Sequence, residues 1–127
     1  MKLRTTHNSI RIRIRKSEIQ TLAQQRLVSE SIAFPMGVTF GFSLLIDEAN
    51  EAVEAKLVDN QLSISLPLET AKQWINTNEV GIERHLPLSG NEQLHILVEK
   101  DFPCLDRENE DKSDTFWELA PDAPEAC

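Results

Sequence analysis

Three arginines at every second position, Arg11, Arg13 and Arg15, interleave with Ile10, Ile12 and Ile14 in the run SIRIRIR over residues 9–15. Strict period-two alternation builds a strand with the guanidinium groups on one face and the isoleucines on the other. Same-face neighbours on a strand stand roughly 6.6–7 Å apart, a spacing that suits successive phosphates or the two ends of a dicarboxylate. Arginine forks hold such oxygens with two parallel hydrogen bonds. The chemistry expected is anion binding at Arg11, Arg13 and Arg15, with Arg4 or Lys16 nearby. Two other readings of the stripe stay open. It is a solvated outer face that also guards a sheet edge, or a strip on which acidic chain docks.

A second chemistry-bearing run is DRENEDKSD at residues 106–114. Its five carboxylates, Asp106, Glu108, Glu110, Asp111 and Asp114, are hard oxygen donors of the kind that hold Ca²⁺ or Mg²⁺. Asp106, Glu108 and Glu110 are the candidate metal ligands. The EF-hand pattern is not met: its obligatory glycine position is Asp111, and its final glutamate position is Trp117. A solvated charge block is the alternative. Cys104, His7, His85 and His95 are scattered along the chain, so a Cys–His pair would depend on spatial adjacency. His95 alternates with Leu94 and Ile96 and is expected to face outward from a strand. No Gly-rich phosphate loop, HExxH or GxSxG motif occurs, and nothing specifies a cofactor.

Which elements hold these groups follows from periodicity. Residues 2–15 read either as two short strands around a His7-Asn8 turn or as one long bent strand. Ser17 and Gln20 form a capping-box pattern, and Ile19, Leu22, Ala23 and Leu27 recur at helical spacing, which predicts a helix over about 17–26. Alternation over 38–66, broken at 47–51 and at Asp59-Asn60, predicts a three-stranded meander after a short strand at 31–34. Pro67 suits the start of a second helix, with Leu68, Ala71, Trp74 and Ile75 on its buried face. Residues 80–85 and 94–100 are the last two strands. The order β-α-β-β-β-β-α-β-β predicts an α+β domain on a largely antiparallel sheet of about seven strands, curled or partly closed. It spans residues 1–105 and is followed by an acidic tail at 106–127, with Phe116-Trp117 as the tail's expected anchor. No internal repeat is evident.

The chain has 127 residues, the size of one domain, and with 40% hydrophobic and 27% charged residues it falls in the globular class. No apolar run approaches the roughly 18 residues of a spanning helix, so a soluble, cytoplasmic protein is expected. Two cysteines, Cys104 and Cys127, are too few for a disulfide framework and fit a reduced compartment. The net charge of −8 disfavours nucleic acid as a general partner. That average hides a polarity: residues 1–28 hold seven bases against one acid, whereas from Glu99 onward ten acids face three bases. Such asymmetry signals an anion site or the docking of one end on the other.

Lys2-Leu3-Arg4, residues 8–13 (NSIRIR), residues 62–67 (LSISLP), Trp74 and residues 98–107 (VEKDFPCLDR) together resemble a small bacterial family of uncharacterised proteins. The resemblance spans nearly the whole chain and implies no assigned activity. More distantly, Glu54 and Lys56 match part of the Glu-x-Glu-x-Lys strand of the triphosphate-tunnel (CYTH) superfamily, with Ala52 in place of the first Glu. That resemblance implies a β-barrel tunnel lined by Arg and Lys around polyphosphate. Two functions from different classes therefore stand. One is a non-enzymatic binding domain that engages a small anionic ligand or a protein partner through Arg11, Arg13 and Arg15. The alternative is a divalent-metal-dependent phosphohydrolase acting on a (poly)phosphate, with Glu54, Glu99 and Asp101 around Mg²⁺.

Overall fold

A computed structural model describes residues 1–102 and 116–119. Ile12, Ile14, Ile96 and Val98 are apolar at every second position and fully or almost fully buried, which fixes the inward face of the strands that carry them. The chain runs β1 (Lys2–Thr6), β2 (Ser9–Ile14), α1 (Lys16–Gln25), β3 (Leu27–Ala33), β4 (Thr39–Asp47), β5 (Glu54–Val58), β6 (Gln61–Pro67), α2 (Leu68–Asn76), β7 (Gly81–Pro87) and β8 (Gln93–Lys100). The α+β class with two helices holds. Eight strands replace the expected seven, because Asn8, at φ 52°, turns residues 2–14 into a hairpin. They form two four-stranded sheets, β1-β2-β8-β7 and β3-β4-β6-β5, and the sheets do not close into a barrel.

Within each sheet the outer pairs are antiparallel and the central pair, β2–β8 or β4–β6, is parallel. The meander expected over 38–66 is therefore corrected. The β5–β6 hairpin does turn at Asp59-Asn60, both at positive φ, but β4 bonds to β6 and leaves β5 at the edge. The buried rows of β4 and β6 explain this. Phe42, Leu44 and Ile46 must lie beside Leu62, Ile64 and Leu66 in the sheet centre, whereas Leu57 and Val58 of β5 stay exposed.

The first helix is capped two residues earlier than expected. β2 carries Ile14 into the core, so Arg15 takes the N-cap, and Glu18 accepts its backbone N–H at 3.0 Å. Ser17 lies inside the first turn, where its carbonyl accepts from the Thr21 hydroxyl at 3.3 Å. Leu22 of α1, and Ala71 and Trp74 of α2, join the inward faces of both sheets in one core. Trp74 is fully buried, and its indole N–H donates to the Val80 carbonyl at 3.1 Å. Burying an indole this way satisfies its one polar atom. No helix among the described residues is long and apolar enough to cross a membrane.

The structure also contains a repeat. Each half of the chain is a hairpin, a helix and a second hairpin, and each sheet takes one hairpin from each half. The registers coincide. Lys2↔Arg13 becomes Glu54↔Ser65 when 52 is added to each number. Leu27↔Leu45 becomes Gly81↔Glu99 when 54 is added. The parallel pairs match as well, with Ile12↔Val98 in one sheet and Ile64↔Leu44 in the other. The bond from His95 N–H to Asn8 O at 2.9 Å has its counterpart from Gly41 N–H to Asn60 O at 3.0 Å. The buried positions recur in type while the polar ones do not, which hides the repeat from sequence inspection.

Candidate functional site

β2 is a central strand, so its outward residues Ser9, Arg11 and Arg13 have a neighbour on each side. On β1, Arg4 stands opposite Arg11 and Lys2 opposite Arg13. On β8, Leu97 lies beside Arg11 and Glu99 beside Arg13. A central strand has no edge to guard, so that reading of the stripe passes to β1, which carries Lys2 and Arg4.

Glu99 organises the group. Only 6% exposed, its Oε1 accepts the Nε–H of Arg11 at 2.6 Å and of Arg13 at 2.8 Å. Burial alone would raise the Glu99 pKa. The two arginine hydrogen bonds and their positive charge outweigh that and hold the carboxyl below its ordinary value. The carboxylate is thus ionised at neutral pH and fixes both guanidinium groups in place. Arg13 further lies over the Phe102 ring at 5.3 Å, a cation–π contact, with Nη1 3.9 Å from Asp101. Lys2 Nζ is 3.4 Å from the same carboxylate.

Lys2, Leu3, Arg4, Arg11 and Arg13 line a cavity of about 250 Å³. Glu99 holds both guanidinium groups by their Nε–H donors. Arg15 is not part of this cavity. β2 ends at Ile14, and Arg15 turns to Glu18 at 3.4 Å with its side chain 65% exposed. Lys16 lines a different, mainly apolar cavity between the helices with Ile14, Ile19, Ala23 and Ile75. Lys2 was missed by sequence reasoning, although the His7-Asn8 hairpin register would have found it.

The candidate carboxylates separate. Glu99 and Asp101 share the arginine face and are engaged by Arg11, Arg13 and Lys2. Glu54 belongs to the other sheet, opposite Ser65 and 3.8 Å from Lys56. Among the described residues the two sheets do not close into the barrel that the tunnel-superfamily resemblance implies. Asp106, Glu108 and Glu110 lie outside the described residues. Phe116 is exposed, and the side chain of Trp117 lies outside what the structure describes.

The repeat supplies an internal control. The positions equivalent to Arg11, Arg13 and Glu99 are Ser63, Ser65 and Leu45. There Ser43 and Ser63 meet at 3.5 Å, and Glu54 and Lys56, paired with each other at 3.8 Å, stand where Lys2 and Arg4 do. The same backbone thus stands without a cluster of cations on this face, and the cationic cluster is not a demand of the fold. A model for a family of unknown function, DUF7009, matches residues 1–119. The chain belongs to that family. It matches no curated protein and no solved structure.

Proposed function

We propose that this chain is a non-enzymatic binding domain whose site is the pocket of Lys2, Arg4, Arg11 and Arg13, taking a small polyanion such as a diphosphate or dicarboxylate. The observation that carries the reading is the convergence of four basic side chains on one small cavity, with two of the guanidinium groups already held by a buried carboxylate. Prefixing them lowers the entropy lost on binding. Among the described residues, four basic side chains stand at this pocket with Glu99 and Asp101, on a chain that is acidic as a whole.

Isothermal titration of the full chain with pyrophosphate and with succinate at low salt tests this. Saturable binding of one of them is expected, weakening as salt rises from about 20 to 200 mM because the Debye length shrinks. The Lys2→Gln/Arg4→Gln double variant leaves the Glu99 bonds intact and should weaken it tenfold or more. No heat with the wild type would end the proposal. Deletion of residues 106–127 separates docking of the acidic tail from binding of a free anion. Tighter binding would mean that the tail competes for the pocket, and unchanged binding that it does not. The phosphohydrolase alternative draws less support, because Glu54 lies on a different sheet from Glu99 and Asp101.

A further inference from the structure

Beyond the arginines on the same face of sheet β1-β2-β8-β7, Glu83 and His85 stand two apart on β7, and His95 lies directly across from His85 on β8. One ligand atom from each of the three lies within 4.8 Å of the other two. We propose that Glu83, His85 and His95 form a binding site for a divalent transition-metal ion of the Zn²⁺ type, with open coordination positions toward solvent. This does not rest on the anion reading.

Four observations carry it. The Nε2 of His95 is sealed from solvent and has no hydrogen-bond partner, although the Glu83 Oε2 lies 3.2 Å away. A buried ring nitrogen beside a carboxylate oxygen, outside hydrogen-bond alignment with it, is an arrangement that a cation completes. Ligands of a tetrahedral ion at about 2.1 Å lie about 3.4 Å apart, close to this separation. The other ring nitrogen of His95, Nδ1, is already fixed by the Ser9 hydroxyl at 3.3 Å. Holding the far nitrogen of a ligating histidine is what outer-shell partners do at metal sites, since it sets the tautomer and aims the ring. His85 stacks on His95 with centroids 4.7 Å apart, and both His85 and Glu83 are exposed, so rotation of their side chains has room to draw the donors inward. Finally, the repeat shows that nothing in the backbone requires these residues. The equivalent positions in the other sheet are Ser29, Ser31, Gly41 and Gln61, which offer no imidazole and no carboxylate.

Two imidazoles and a carboxylate suit Zn²⁺ and neighbouring transition ions over Ca²⁺ or Mg²⁺, which take all-oxygen cages. The test is titration of the tag-free full chain with Zn²⁺ against a competing chromophoric chelator. One Zn²⁺ per chain is expected, with affinity reduced at least tenfold in His85→Gln and in His95→Ala, and to a smaller extent in Ser9→Ala. Affinity should fall in acid, because the ligating imidazoles must be neutral. His85→Gln sits at an exposed position, so its readout stands even where His95→Ala fails to fold. Mg²⁺ should not compete. Binding that survives His85→Gln overturns the proposal, as does binding that is lost in Asp106→Asn/Glu108→Gln/Glu110→Gln but not in the histidine variants.

Discussion

Glu99 is where charge, burial and position meet most tightly. One oxygen serves two arginines, so removing it leaves two guanidinium groups side by side with their shared partner gone. Charge-assisted bonds of this kind are worth about 1.5–3 kcal/mol each when one partner is lost. Glu99→Gln should therefore lower stability by about 2–3 kcal/mol at pH 7, measured by urea denaturation. The sign of the pH dependence follows from the lowered pKa. The carboxylate's contribution is present in full above its unfolded value and is lost as pH falls through the folded one. Wild type should lose stability between about pH 5 and pH 2, and Glu99→Gln should lose less over the same interval. Glu18, lowered by the bonds it accepts from the Met1 ammonium and Arg15 against an opposing burial effect, adds to the residual slope. The arginines of this cluster were legible from alternation alone. Glu99 appeared in the sequence only as a carboxylate for metal, since nothing local reveals which strand lies beside β2.

At the scale of elements, hairpins and helix ends follow from short-range chemistry. Asn8, Asp59 and Asn60 take positive φ in turns that Asn and Asp tolerate. Helix α1 ends on Arg26 at φ 62°, its N–H bonded to the Leu22 carbonyl at 2.8 Å. A non-glycine residue in that region carries roughly 1–2 kcal/mol of strain, and the exposed ion pair of Arg26 with Glu48 returns little. Arg26→Gly should consequently raise stability by about 0.5 kcal/mol, after the entropy that glycine adds to the unfolded chain. Asn60→Val, which puts a β-branched side chain at φ 63°, should lower it by about 1–2 kcal/mol. Thermal melts of the two variants check both signs. Strand existence was readable where apolar alternation is written into the sequence, as in residues 39–47, 61–67 and 93–100, but β3 begins at Leu27, which helical spacing assigns to α1. Strand order was not, because a parallel pairing of β4 with β6 depends on which buried rows fit together, and adjacency in sequence favours the meander.

For the molecule as a whole, the exchanged hairpins make each half dependent on the other. β2 needs β8, and β4 needs β6, for the central pair of each sheet. A chain cut between Glu51 and Ala52, both exposed in the loop after β4, should leave neither piece folded alone, each lacking half of both sheets. Mixing the two pieces should restore dispersed amide spectra and a cooperative melt. Dispersed spectra from residues 1–51 alone as a monomer would contradict the exchanged arrangement. By itself the sequence determined the α+β class, the two helices, the buried rows of β2, β4 and β6 and the alternating arginine face, since each is set by residues a few positions apart. Only the tertiary structure decided the two-sheet division, the repeat, the exclusion of Arg15 from the cationic pocket, and the meeting of Glu83, His85 and His95. Those depend on which strands pair and in what register, and pairing is chosen by the fit of distant buried faces rather than by any local pattern.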